Sequence, residues 1–247
     1  MTAVHWHEGP LVGFDVETTG VDPERDRIVT AAVTLDGGPL PAQSVTWLLN
    51  PGIEIPKAAT DVHGITTARA QAEGQAPRAA LRVIAATLAH QIRMGAPLVV
   101  MNAAFDLTML DRELRRYDLV PLTGRLPGCR LSPVIDPYVL DQKADRYRRG
   151  SRRLEDLAAH YGVDLDDAHD AAADARAAVG VARALAARYA WLRIHPRQLH
   201  IRQIRWAADR ARDRAAYFAR TPGKEHLAAG VHTDWPMTPY QPTKETR

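Results

Sequence analysis

A chain of 247 residues, 46% of them apolar, has the composition of an ordinary globular protein and is long enough for one sizeable core plus an extension. Its formal charge of +3 is a mild basic excess that permits nucleic-acid binding without requiring it. The single cysteine, Cys129, excludes an intrachain disulfide and a Cys-rich zinc site; with no signal-peptide pattern and no apolar run of ~18 residues, the expectation is a protein of the reducing cytoplasm without membrane attachment.

The apolar run Leu11 to Phe14 leads into Asp15-Val16-Glu17 and reads as a first strand. Side chains alternate along a strand, so Asp15 and Glu17 project from one side. Ile28 to Leu35 is a β-branched second strand closed by Gly37-Gly38-Pro39, and Ser44 to Leu49 a third, which together predict an antiparallel meander. Ile55 to Gly64 is read as irregular or a short helix, followed by a turn at His63 to Thr66. Pro77 starts a helix reaching Met94, with Leu81, Ile84, Leu88 and Ile92 on its apolar stripe. Leu98 to Met101 is a short buried strand, Ala103 to Tyr117 a helix, and Leu131 to Ile135 a further strand. Helices follow at Leu154 to Tyr161, Ala171 to Ala190 and, beyond Pro196, Gln198 to Arg220. Three strands followed by strands alternating with helices predict an α/β fold with a mixed sheet flanked by helices.

Two like charges at the end of a buried strand are unfavourable unless a cation neutralises them, and hard carboxylate oxygens suit Mg²⁺ or Mn²⁺. Asp106, four residues after Asn102, falls in the first turn of a helix that follows a strand, where open α/β sheets place ligand-facing groups. His169 stands at a loop-to-helix entry with Asp174 about one turn further on, separated by Asp170 and three alanines. Read singly, each of these residues has an ordinary structural use as a helix-end charge or a loop residue.

In order along the chain, the three motifs Phe14-Asp15-Val16-Glu17-Thr18-Thr19-Gly20, Asn102-Ala103-Ala104-Phe105-Asp106 and His169 with Asp174 resemble those of the DEDDh (DnaQ-like) 3′→5′ exonucleases, with the proofreading epsilon subunits of bacterial DNA polymerase III among them. Val62 to Thr66 is similar to a further stretch of that family. The resemblance spans roughly residues 10 to 190. It implies a ribonuclease H-like, mixed five-stranded sheet over 8–194, with 195–247 left as a basic helical extension and a Pro-containing, weakly structured tail. It also implies two divalent ions, Mg²⁺ or Mn²⁺, on Asp15, Glu17, Asp106 and Asp174, with His169 as the general base.

By the same resemblance Thr18, Thr19, Val62, His63, Asn102 and Phe105 would contact the terminal nucleotide. Phe105 reads equally as core, and His63 as a turn residue. The implied substrate is a nucleic-acid 3′ end, DNA in preference to RNA, releasing nucleoside 5′-monophosphates. Alternatives are a 3′ exoribonuclease like ribonuclease T or oligoribonuclease, and a non-catalytic binding module.

Two segments fall to the residues alone. Lys143 to Arg153 holds six basic residues against Asp145 and reads as a mobile loop that could track phosphates or as a solvated charge run. In the last helix Ile201, Ile204, Ala208, Ala211, Ala215 and Phe218 form a stripe expected to pack back on the domain, or to dock DNA, a DNA polymerase or another replication or repair protein.

Overall fold

The computed structural model describes residues 5–37, 42–165 and 168–242; Gly38 and Pro39 of the expected turn lie outside them. Three strands, β1 (Leu11–Thr18), β2 (Ile28–Asp36) and β3 (Gln43–Leu48), form the antiparallel meander. Two short strands, β4 (Leu98–Val99) and β5 (Val134–Ile135), extend it in parallel on the other side of β1. The order β3-β2-β1-β4-β5 puts β1 at the centre of a mixed five-stranded sheet.

Burial on both faces explains the composition of β1. Phe14 and Val16 point into a core shared with helices α3 (Pro77–Arg93) and α4 (Ala103–Arg116), which cover one face. Leu11 points to the opposite face, covered by α7 (Ala171–Arg188). Gly13 sets how closely α7 approaches: a Cβ there would lie 2.5 Å from the Ala175 carbonyl oxygen. At the start of α7, Ala171 and Ala172 pack against Ala32 of β2, so small side chains keep the helix down on the sheet. Between β3 and α3 run α1 (Lys57–His63) and α2 (Thr67–Glu73); Gly64 ends α1 in the left-handed conformation, and Thr66 caps α2 through the Arg69 N–H. No helix among the described residues is long and apolar enough to cross a membrane.

After β5, Asp136 and Pro137 start a helix, α5 (Pro137–Ala144), that hydrophobic periodicity alone does not reveal. The following segment to α6 (Leu154–Tyr161) is not a free basic loop. Arg152 Nε and Arg148 Nη2 lie 2.6 and 3.4 Å from Asp141 Oδ2, a fully buried carboxylate, and Arg152 also donates to the Asp145 carbonyl. Arg146 pairs with Asp213. Three of the six expected phosphate contacts are thus engaged within the protein.

The extension packs back, though not by the expected stripe. On α8 (Pro196–Arg220) the buried residues are Leu199, His200 and Gln203, while Ile201 and Ile204 are exposed. β5 is an edge strand with unpaired backbone groups, and polar side chains satisfy them. Gln203 Oε1 accepts from the Asp136 N–H at 2.8 Å, its Nε2 donates to the Val134 carbonyl at 3.0 Å, and His200 Nδ1 accepts from the Val134 N–H at 3.2 Å. A periodicity of apolar residues cannot register a helix seated through an amide and an imidazole. Nor are the described residues beyond the short α9 (Glu225–Ala228), up to 242, weakly structured. Trp235 is buried, Arg112 donates to the carbonyls of Thr238 and Pro239, and the Tyr240 ring lies 4.4 Å from the Arg115 guanidinium.

Replacing Gln203 by Leu preserves bulk but strands two buried backbone groups, so urea unfolding is expected to show a loss of roughly 1–3 kcal/mol. An unchanged midpoint would contradict the role assigned to the amide.

Candidate active site

The expected carboxylates meet where β1 emerges from between its neighbours. Asp15 and Glu17 stand on the α7 side of β1, and the strand is bulged between Glu17 and Thr18, where pairing passes from Glu17 opposite Thr30 to Thr18 opposite Ile28. Such bulges re-aim side chains at the rim of a sheet. Asp174, in the first turn of α7, is carried to them by the close contact at Gly13.

Asp106 arrives from the other flank. The pairing of β4 with β1 stops at Gly13, leaving the Val16 N–H without a strand partner on that edge. Asp106 Oδ1 takes that place, accepting the hydrogen bond at 3.1 Å. The carboxylate is therefore tied to the backbone between Asp15 and Glu17 and is nearly inaccessible.

One ligand atom each from Glu17, His169 and Asp174 lie within 4.8 Å of one another. His169 has a positive φ of 71°, and its N–H donates to Asp174 Oδ2 at 3.3 Å. Its Nε2 lies 3.3 Å from Glu155 Oε1 of α6, a neighbour that no sequence motif announced. Asp170 caps α7, accepting from the N–H groups of Ala172 and Ala173.

Burial, and after it the neighbouring charges, raises the carboxyl pKa values. Burial, then the charges of Asp106, Asp174 and Glu17, push Asp15 well above the usual carboxylate range. Burial and the charges of Asp174 and Asp170 push Glu17 to about 8. Burial raises Asp106 against the opposing hydrogen bond from Val16, and raises Asp174 to about 6. Asp174 Oδ1 is buried without a hydrogen-bond partner among the described residues. An orphaned oxygen among mutually repelling carboxylates fits a hard divalent cation, which would both neutralise the charges and use the free lone pair.

The expected nucleotide contacts divide. His63 lies beside the Thr18 backbone and close to His169; burial foremost lowers its pKa, and its Nε2 is buried without a partner while Nδ1 accepts from the Ile65 N–H. Val62 and Asn102 are exposed, and Phe105 is half-buried against the main core. The Thr18 hydroxyl donates to the Gly20 carbonyl. Thr19 faces inward: it is 2% exposed, its hydroxyl donates to Asp26 and accepts from the Arg27 N–H, and its side chain holds the turn instead of the cleft.

Asp136, just past the strand read at Leu131 to Ile135, belongs to none of the sequence motifs. Its buried carboxylate accepts from the N–H groups of Asn102, Ala103 and Tyr138 and from Trp235 Nε1, at 2.9 to 3.1 Å. It therefore fixes the start of α4, one turn before Asp106, and ties the C-terminal segment to it. An Asp followed by Pro at a helix start is the signal that could have found it.

The Exonuclease (RNase_T) family model matches residues 12–182. The chain belongs to this family, the DnaQ-like 3′→5′ exonucleases. It is 32% identical over 176 residues to the DNA polymerase III subunit epsilon of Treponema pallidum, covering 70% of this chain and 74% of that one. It is 38% identical over 106 residues to a DNA polymerase III subunit epsilon-like protein of Rhodobacter capsulatus, covering 42% of this chain but 14% of that one. Among solved structures, an E. coli exonuclease I–ssDNA complex superposes with a TM-score of 0.61 at 20% identity, over 75% of this chain and 42% of that chain. Exonuclease I of Methylocaldum szegediense gives 0.60 at 26% identity, over 74% and 42%. The sheet is the ribonuclease H-like sheet of these exonucleases, and the family is metal-dependent. The family match ends within α7, so α8, α9 and the tail lie beyond the matched residues.

A carboxyl whose pKa is higher in the folded chain keeps a proton that the unfolded chain has lost, so stability falls as pH rises between the two values. For Glu17 that window runs from its ordinary 4.5 to about 8, and for Asp174 from 3.8 to about 6. In EDTA the melting temperature should therefore fall between about pH 5 and pH 8. Glu17→Gln, which removes the charge, should melt higher than the unaltered chain at the upper pH. A variant that melts no higher there would show that the carboxylates are not in conflict.

Proposed function

We propose that this exonuclease is of the DEDDh type and hydrolyses terminal phosphodiesters of DNA from single-stranded or frayed 3′ ends, releasing nucleoside 5′-monophosphates. The observation that carries the proposal is the convergence of Asp15, Glu17, Asp106 and Asp174 with His169 at one strand end. Two Mg²⁺ or Mn²⁺ ions held by the four carboxylates would supply charge stabilisation for the attacking and leaving oxygens of an in-line displacement.

The chain's own residues do the rest. His169, in the loop before α7, takes the proton of the attacking water, and Glu155 beside its Nε2 stabilises the imidazolium that results. Asp106 holds its place through Val16, and Asp136 holds the helix that carries it. His63, whose Nε2 has no hydrogen-bond partner among the described residues and which lies near Thr18, would contact the terminal nucleotide, with exposed Val62 and Asn102 and the edge of Phe105 bordering the sugar and base.

The epsilon relatives' membership of polymerase III motivates a proposed protein partner. Exposed Ile201 and Ile204 on α8 offer it an apolar patch. Co-elution with a polymerase subunit, abolished by Ile201→Glu, is the check; a complex that survives the substitution would place the contact elsewhere.

Matched 5′-labelled DNA and RNA oligonucleotides test the reaction. Stepwise, metal-dependent shortening from the 3′ end, faster on DNA, is expected. Faster shortening of RNA would make the protein an exoribonuclease, and binding without shortening of either would leave a nucleic-acid-binding module. His169→Ala is expected to lower kcat by roughly 10²-fold or more with Mn²⁺ affinity retained. Near-normal turnover would remove His169 from the role of base.

A further inference from the structure

A cleft of about 990 Å³ lies between α5, α8 and the start of α4, and the C-terminal segment builds one of its walls. Asn102, which precedes the helix that carries Asp106, and Ala104 in the first turn of that helix lie on its border, so the cleft reaches the start of the helix that bears a site carboxylate. α5 contributes Tyr138, and α8 contributes Arg210, Arg214, Tyr217 and Phe218. The volume is at the upper end of the roughly 300–1,000 Å³ typical of ligand sites.

The charges on this surface are not spent internally. Neither Arg210 nor Arg214 has a salt bridge among the described residues, and both are exposed. Of the acidic groups in the lining, Asp213 pairs with Arg146 and Asp136 is consumed by its four hydrogen bonds, which leaves Asp234. His226 and His232 add two exposed imidazoles. The aromatic rings are interleaved with the cations: the Arg214 guanidinium lies 5.2 Å from the centre of the Phe218 ring, and Lys224 lies 5.7 Å from that of Tyr217.

From this arrangement we infer that the cleft is a subsite for single-stranded nucleic acid, holding the nucleotides that precede the 3′ terminus. The inference rests on the exonuclease reading above. Unpaired arginines take phosphates, and exposed aromatic faces take unstacked bases without regard to sequence. A duplex would hide its bases from Tyr217 and Phe218. The subsite lets a family domain of modest size grip several nucleotides at once, by means of a helix that the family match does not include.

The test is equilibrium binding of 5′-labelled oligothymidylates, from dinucleotide to decanucleotide, to the full chain with Ca²⁺ in place of the active ion. For the unaltered chain, affinity is expected to climb with length. Arg210→Gln with Arg214→Gln should weaken decanucleotide binding by about tenfold and reduce the slope of log affinity against log salt by about 1.4, two single-strand phosphate contacts. Ala211→Trp, which fills the cleft without changing charge, should cause a similar length-dependent loss. Affinities unchanged at every length, or lowered equally at every length, would overturn the subsite. So would a loss of protein co-elution with oligonucleotide affinity intact, which would assign the cleft to a protein. Failure of the exonuclease reading shows separately, as an unaltered chain that leaves the p-nitrophenyl ester of thymidine 5′-monophosphate uncleaved, and the binding comparison decides the cleft in either case.

Discussion

The burial of four carboxylates together at the end of one strand is the constraint on which the rest of this structure depends. Asp15, Glu17, Asp106 and Asp174 would each be more stable further apart and in water, as the raised pKa values of all four indicate. They are kept together by backbone packing and by backbone N–H groups that hydrogen-bond two of the carboxylates. Gly13 and the alanines of α7 bring Asp174 down onto β1, and the Val16 N–H, left open where β4 stops, holds Asp106. A fold that concentrates negative charge against its own stability fits the proposed role of holding cations and, through them, phosphate.

The C-terminal segment is joined to this site by polar groups. Gln203 and His200 complete the edge of β5, and Trp235 bonds to the same Asp136 carboxylate that caps the backbone at Asn102 and Ala103. The tail and the start of α4 are therefore anchored on the same side chain. The same segment forms the wall of the cleft that opens beside Asn102. In this chain the added helix supports the sheet on one face and shapes a surface for the substrate strand on another.

Much of this was legible before any coordinates. Alternation put Asp15 and Glu17 on one side of a strand, and the apolar stripe of α3 and the meander of β1 to β3 follow from periods that a buried face enforces. The three motifs, each weak alone, named the five residues that the fold assembles. What escaped has a common physical cause. α8 is seated by Gln203 and His200, α5 begins at an Asp-Pro cap, and the loop after it is pinned by Arg148 and Arg152 on buried Asp141. Polar side chains that satisfy buried partners look like surface residues in a sequence, because pairing is a property of the tertiary structure and leaves no period. Thr19 is the converse case, a residue inside a recognisable motif whose hydroxyl serves the local turn.

The most direct test of the central claim is calorimetric titration of Mn²⁺ into the metal-free protein at neutral pH, in buffers of different ionisation enthalpy. If the carboxylates are held in conflict until cations neutralise them, binding must expel protons, because the Glu17 carboxyl titrates at about 8 without metal. The expected result is saturable binding of two ions with net proton release, lost in Asp15→Asn. Binding without proton release, or no binding at all, would contradict the account.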